Sequence, residues 1–374
     1  MSLKLLARVE IVAVILLMIA GSALVLSASS TYSALRYDSY YHLFISHITK
    51  VVLAFGALIL FAMIPYEFYK KLSVKAIFGV VGLLLITFII APDIKGAGRW
   101  INLGLFSFQP SEVAKIILII HLAHWIDVKK DKLTDLKQGF MYPFTWVMVI
   151  AGLVFIQPNV SVSTIIVILS YTILFVGGVR LKHLFLSLAA VGFTAGIFTM
   201  MFSHSRTRIL TFIDSIQKGG EVNTQVLQAK IALGSGGILG VGLGQSRQSD
   251  LFLPEAYGDF IFSILGEELG FLGAVGVLFV YLIIFTAGII IAKNAKDEFG
   301  QILAFGLSFS IIISAFINAA VVTGIFPTTG IPLPFVSYGG TSILFTCASA
   351  GIIINIAFNS YRLKEKSIRS NVKK

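Results

Sequence analysis

GDFIFSILGEELGFLGA, residues 258 to 274, opens an apolar run that continues to about residue 292, with three carboxylates, Asp259, Glu267 and Glu268, in or beside it. About 20 apolar residues suffice to cross the hydrocarbon core of a bilayer, so the run reads as a membrane-spanning helix. At about 33 residues it is overlong, which implies tilt or a portion outside the bilayer. Ionisable groups at such depth are costly and mark a functional site by default. On a continuous helix Glu267 lies ~80° round from Asp259 and ~12 Å further in, while Glu268 faces nearly the opposite way. Asp259 therefore stands apart. Its plain reading is a first-turn acid favoured by the helix macrodipole, and its functional reading is an outward-facing general base. Glu267 and Glu268 read as interior hydrogen-bonding residues.

The rest of the chain has the same character. Of 374 residues, 57% are apolar and 13% charged, and the mean hydropathy is +0.91, whereas a soluble domain carries roughly 25% charged residues. The net charge of +11 belongs to short loops between apolar runs and reports orientation; no soluble basic domain is present to bind nucleic acid. The single Cys347 excludes a disulfide framework. About ten spans are expected, near residues 10–29, 44–65, 75–92, 111–126, 141–157, 161–179, 183–202, 260–292, 301–323 and 340–358. The first lacks a clear cleavage signature and reads as a retained helix. With that count, 19 of the 29 Lys and Arg fall on the side of the termini, which the positive-inside rule makes cytoplasmic.

The opposite, extracytoplasmic side carries the Gly-, Pro- and polar-rich connections: 93–110, the long loop 203–259, and 324–339. A loop of more than fifty residues without structure is uncommon unless it is functional. Within it, KIALGSGGILGVGLGQSRQ could re-enter the membrane where protein or a wet cavity satisfies its backbone. Gln109-Pro110-Ser111 and Gln157-Pro158-Asn159 each precede an apolar run, the signature of a helix start.

The outer side supplies Glu255 near Asp259, together with Arg99, Arg206, Arg208 and Arg247. Guanidinium groups suit phosphate or carboxylate recognition. A carboxylate among such cations is a candidate base for a substrate bearing a phosphate and a hydroxyl. Glu112 and Lys115, one turn apart, form either an intrahelical ion pair or a cavity-facing pair. His121 and His124 could face alike, yet no third metal ligand is apparent. GIFPTTGIPLPFVSYGGTS, residues 324–342, cannot be one helix and suits a cavity lining. Ten spans with broken loops and buried charge fit a transporter as well as an enzyme, and a membrane scaffold is a third reading.

The strings GAGRWINLGLFSFQPSEVAKI, LGSGGILGVGLGQSRQSDLFLPEAYGDFIFSILGEELGFLGA and GIFPTTGIPLPFVSYGG together resemble the SEDS family (shape, elongation, division and sporulation) over nearly the whole chain. The short GLGQSRQ connection before LPE is more similar to its FtsW than to its RodA members. The resemblance implies an all-α polytopic membrane protein forming one domain, 1–374, with the large loop between helices 7 and 8. It also implies a peptidoglycan glycosyltransferase that polymerises lipid II at the outer face of the cytoplasmic membrane, with a class B penicillin-binding protein and other cell-wall proteins as partners. A lipid II flippase is the alternative.

By the same resemblance Asp259 is the essential aspartate. The polar cavity residues fall on Arg99, Glu112, Lys115 and the run Ser337, Tyr338, Gly339 and Gly340, and Arg206 and Arg208 match a basic pair after the seventh span. Arg247 joins the expected substrate-binding set, and no residue is assigned as a metal ligand. A divalent cation, Mg or Mn, is an optional helper to the cationic side chains. Two positions depart from the family pattern. Gly258 stands where Thr usually precedes the essential Asp, and Pro158-Asn159-Val160-Ser161 replaces a Pro-Asp-Leu-Gly run. No catalytic or metal role is therefore carried onto Asn159.

Overall fold

A computed structural model describes residues 2–91, 98–102, 107–218, 223–250 and 252–372. Part of the 93–110 connection and of the 203–259 loop thus lies outside the described residues. The chain runs through α1 (Leu3–Tyr37), α2 (His42–Met63), α3 (Tyr66–Ile90), a two-residue antiparallel pair β1 (Ile101–Asn102) and β2 (Ser107–Phe108), then α4 (Pro110–Val128), α5 (Tyr142–Ile156), α6 (Val160–Val176) and α7 (Leu181–Thr199). It continues through α8 (Ser203–Lys218), α9 (Thr224–Ser235), α10 (Ile261–Lys293), α11 (Glu298–Val322) and α12 (Thr341–Val372).

Every expected span coincides with a helix. Among the described residues, eight helices are long and apolar enough to cross a membrane, counting α5 with the π-turn Leu136–Met141 that leads into it. The other two are α6, an apolar helix of 17 residues, and α4, which carries Glu112, Lys115 and Asp127. Pro110 begins α4, as its spacing predicts. Asn159 sits at the N-cap position of α6 but makes no capping hydrogen bond, and its Nδ2 is buried without a partner. The 203–259 stretch is more ordered than a loop: it holds α8 and α9, the latter capped by Asn223 Oδ1, which accepts from the Gln225 and Val226 amides at 3.0 and 3.4 Å.

Packing follows burial. α11 forms the centre, buried along most of its length and flanked by α10, α4, α6 and α12. α12 lies along α2 and α1, and α3 along α4. α7 is the outlier, burying only Leu184 and Thr199.

The overlong run is resolved by a break. Gly270 has φ 67° and ψ −169°, which separates the first turns of α10 from the remainder. Such a break would free the Glu267 and Glu268 carbonyls and the Phe271 and Leu272 amides, which an unbroken helix pairs i to i−4. All four are taken up by the segment after α9. Val241 and Gly242 donate to the Glu267 and Glu268 carbonyls at 3.0 Å each, and Phe271 and Leu272 donate to the Gly237 and Ile238 carbonyls at 2.9 and 3.2 Å. Gly240, at φ +82°, is held so close that an added Cβ would stand 2.1 Å from the Glu268 carbonyl oxygen. The Gly-rich stretch satisfies its backbone by inserting into the helix break.

Candidate active site

Asp259 sits in the turn before α10 and not on a helix continuous with Glu267, so the ~80° relation between them does not apply. Its backbone is clamped from both sides. The Ser337 hydroxyl donates to the Gly258 carbonyl at 2.8 Å and accepts from the Leu333 amide at 2.7 Å. Asn318 of α11 donates through Nδ2 to the Asp259 and Ile331 carbonyls, each at 2.8 Å. Tyr338 N–H reaches the Tyr257 carbonyl at 2.9 Å, and Gly258 N–H reaches that of Glu255 at 2.9 Å. The broken 324–340 connection thus cradles the 255–260 turn. Positive φ at Glu255 (60°) and Phe335 (65°) shows backbone strain on both sides of this junction.

The Asp259 carboxylate rests against Gly330, where an added Cβ would lie 3.4 Å from Oδ2. Burial and the nearby Glu255 push its pKa up to about 6, with Arg208 and Arg99 pulling the other way. Burial lowers the pKa of both arginines, with Asp259 opposing the shift, and both remain cations. No ion pair within 4.0 Å joins Asp259 to either arginine among the described residues. The carboxylate therefore feels two cations across a gap. That separation leaves the base poised near neutrality, at about 6.

Gly330 also borders a narrow cavity of about 30 Å³, lined by Gln109, Glu112, Lys115, Ser310 and Ser314 among others, roughly room for one or two waters. Glu112 and Lys115 form an i, i+3 ion pair at 3.0 Å and face that cavity, so the structural and cavity-facing readings both hold. β1 and β2 bring Arg99 and Gln109 to the same region, and the Gln109 amide donates to Thr341 Oγ1 at 3.2 Å.

Other expected site residues are placed differently. Ser337 spends its hydroxyl on the Gly258 and Leu333 backbones. Tyr338 turns away to α2, where Lys50 Nζ lies 3.9 Å from its ring centroid and Ser46 Oγ 3.2 Å from its hydroxyl. Gly340 packs near the Ser107 carbonyl, 3.1 Å from an added Cβ, and Gly339 touches only Ser342 and Ser337 in the same way. Arg208 faces inward and donates to the Thr328 carbonyl at 3.2 Å, whereas Arg206 is exposed. The Arg247 side chain is exposed while its amide donates to Glu267 Oε1 at 3.1 Å.

Glu267 also accepts from Ser235 Oγ (3.3 Å), Ser246 Oγ and the Gln248 amide (3.4 Å), and Glu268 accepts from Ser27 Oγ of α1. These two carboxylates are loop and helix ties, as the sequence suggested. Asn318, Gly330 and Lys50 were missed. Asn318 and Lys50 had a signal, each being a lone amide or ammonium in an apolar run; Gly330 had none. His121 Nδ1 pairs with Ser73 Oγ at 3.1 Å, and the described residues contain no group of three or more His, Cys, Asp or Glu arranged to hold a metal ion.

Comparisons with known proteins agree in direction. The family profile described as FTSW_RODA_SPOVE, cell cycle protein, matches residues 7–362. The chain is 35% identical over 361 residues to the probable peptidoglycan glycosyltransferase FtsW of Geobacter sp. (strain M18), covering 94% of this chain and 98% of that one. It is 31% identical over 352 residues to the stage V sporulation protein E of Bacillus subtilis, covering 93% and 95%. Among solved structures, one described as "Structural coordination of polymerization and crosslinking by a peptidoglycan synthase complex" superposes with a TM-score of 0.75 at 22% identity, over 93% of this chain and 98% of that one. The rod shape determining protein RodA of Thermus thermophilus gives 0.70 at 21%, over 94% and 96%.

Proposed function

Since the chain belongs to the FtsW/RodA/SpoVE family of cell cycle proteins, we propose that it is a peptidoglycan glycosyltransferase of the FtsW type that polymerises lipid II into glycan strands. The observation that carries the reading is Asp259: one carboxylate on a clamped backbone, with a pKa near 6, within the field of Arg99 and Arg208. The 4-hydroxyl of one lipid-linked sugar attacks the anomeric carbon of another. A carbon–oxygen bond forms there as the bond to the pyrophosphate breaks, and the polyprenyl diphosphate leaves with the bonding electrons. Asp259 accepts the hydroxyl proton, and the configuration inverts. Arg99 and Arg208 stabilise charge gathering on the departing pyrophosphate, which replaces the second carboxyl a glycosidase would use.

The described residues offer no cage for a metal, yet Mg²⁺ is commonly held by one or two carboxylates together with substrate phosphates. Glu255 would be that carboxylate, leaving Asp259 free as the base, and the ion, Mg or Mn, would supply neutralising charge at the pyrophosphate. Every step above stands on the side chains alone.

The reading carries an orientation: termini in the cytoplasm and Asp259 on the outer side, supported by the distribution of Lys and Arg. It also carries a partner, a class B penicillin-binding protein that crosslinks the strands. The superposition on a chain from a polymerising and crosslinking complex supports the fold such a partner needs. In the test, purified chain and its class B partner receive lipid II in detergent, where no membrane exists to cross. Polymer is expected from the wild type, and Asp259→Asn should lower the rate by about 100-fold or more. Wild-type rates from the Asn variant would overturn the base assignment, and no polymer from the wild type would favour a flippase.

A further inference from the structure

α8 leaves an apolar stripe exposed, which a helix at a protein–water surface does not. Leu210, Ile213 and Ile216, three residues apart along one stripe, are 47%, 40% and 68% exposed. On its other side Arg208, Thr211 and Phe212 face the protein, where Arg208 bonds the Thr328 carbonyl. A surface helix in water places its apolar stripe inward, so this stripe requires an apolar medium. α7 supplies the setting: it is long and apolar enough to cross a membrane, it is almost wholly unburied, and it ends at Thr199, a few residues before α8 begins. α8 therefore starts where a span leaves the bilayer.

The two arginines of α8 point in opposite directions. At 100° per residue Arg206 falls about 20° from Ile213, on the apolar stripe, while Arg208 is about 160° away from Arg206 round the helix. Arg206 is exposed and Arg208 is half-buried beside the field of Asp259. A long cationic side chain on an apolar stripe snorkels to the headgroup level and meets phosphate there.

We propose that α8 lies in the plane of the outer leaflet, with the Leu210–Ile213–Ile216 stripe among acyl chains, and that Arg206 captures the pyrophosphate of the lipid-linked substrate from the leaflet for Arg208 to receive on the site side. The second half rests on the glycosyltransferase reading; the first does not. Arg206 is then an entry residue, outside the reacting centre.

Cys347 is the sole cysteine, so spin labels can be placed singly at Leu210, Ile213, Ile216 and Thr207 in a Cys347→Ala chain reconstituted in phospholipid vesicles. Labels on the stripe should be reached by oxygen and shielded from a water-soluble nickel chelate, with the reverse at Thr207. Nickel access along the stripe would show an aqueous face and overturn the placement. Exclusion of both reagents would show a protein-covered face, such as a partner or a second copy would give, and would overturn it too.

In the second arm, Arg206→Ala should raise KM for lipid II in vesicles about tenfold, as expected for one lost charge-assisted contact, with kcat changed less than twofold. A tenfold fall in kcat at constant KM would place Arg206 at the reacting centre and overturn the entry role. If the wild type makes no polymer, the enzymatic reading and the entry role fall together, while the labelling result still decides where α8 lies.

Discussion

Asp259 combines backbone rigidity with an electrostatic environment that opposes its ionisation. The raised pKa has a kinetic consequence, since a general base acts as the carboxylate. Polymerisation should fall below about pH 6, with that midpoint set by Asp259. Glu255→Gln removes a neighbouring negative charge and should move the midpoint down, while Arg208→Ala removes a positive one and should move it up. A pH–rate profile of the three proteins checks both directions. For stability the sign is opposite: a carboxyl whose pKa rises on folding contributes fully below its ordinary pKa of 3.8, and the contribution is lost as pH rises through about 6.

Ser337 gives a second test at this scale. Its hydroxyl ties Gly258 to Leu333, so Ser337→Ala leaves the buried Leu333 amide unpaired and the Gly258 carbonyl with only the Ile261 amide at 3.4 Å, at about 1–3 kcal/mol for a group left unsatisfied. Thermal unfolding in detergent should register that loss together with reduced polymerisation. Gly258→Thr should be tolerated, because an added Cβ would meet Glu255 atoms at 3.6 Å, an ordinary contact.

Among the elements, α10 depends on its break. Gly270→Ala would set a Cβ 2.3 Å from the Gly240 amide nitrogen at φ +67°, and Gly240→Ala meets the Glu268 carbonyl in the same way. Each should lower stability by at least about 2 kcal/mol, read as a lower thermal midpoint with loss of polymer. Most helices were legible in the sequence because about 20 apolar residues in a row leave few alternatives. α8 and α9 were missed because α8 is short and polar on one side, and α9 lies in a Gly-rich stretch without a long apolar run. The break at Gly270 was visible only as excess length, since the segment that satisfies it comes from thirty residues earlier.

At the site, Asp259 and the Glu112–Lys115 pair were readable as charges in apolar surroundings. The true positions of Tyr338 and Ser337 depended on contacts with α2 and the 255–260 turn, which no local pattern encodes.

For the whole molecule, the charge distribution predicts one orientation. With Cys347→Ala as background, Lys132→Cys, in the connection after α4, should react with an impermeant maleimide only in permeabilised cells, while Thr224→Cys at the start of α9 should react in intact ones. Both native residues are exposed. Labelling of both from outside would contradict the positive-inside assignment. The site itself draws on distant segments: Arg99 before α4, Arg208 on α8, Asp259 before α10 and Gly330 before α12.

The inserted segment at Gly270 also governs how the chain is made. The ribosome delivers residues 237–242 before it delivers the Phe271 and Leu272 amides that complete their pairing. During that interval the glycine-rich strand has nowhere to settle, and Asp259 has neither its floor at Gly330 nor its clamp at Ser337. A product stalled before residue 272 would carry open backbone groups at the membrane surface, a form suited to proteolytic clearance. Synthesis past residue 338 supplies the Gly330 floor and the Ser337 clamp that complete the turn holding Asp259.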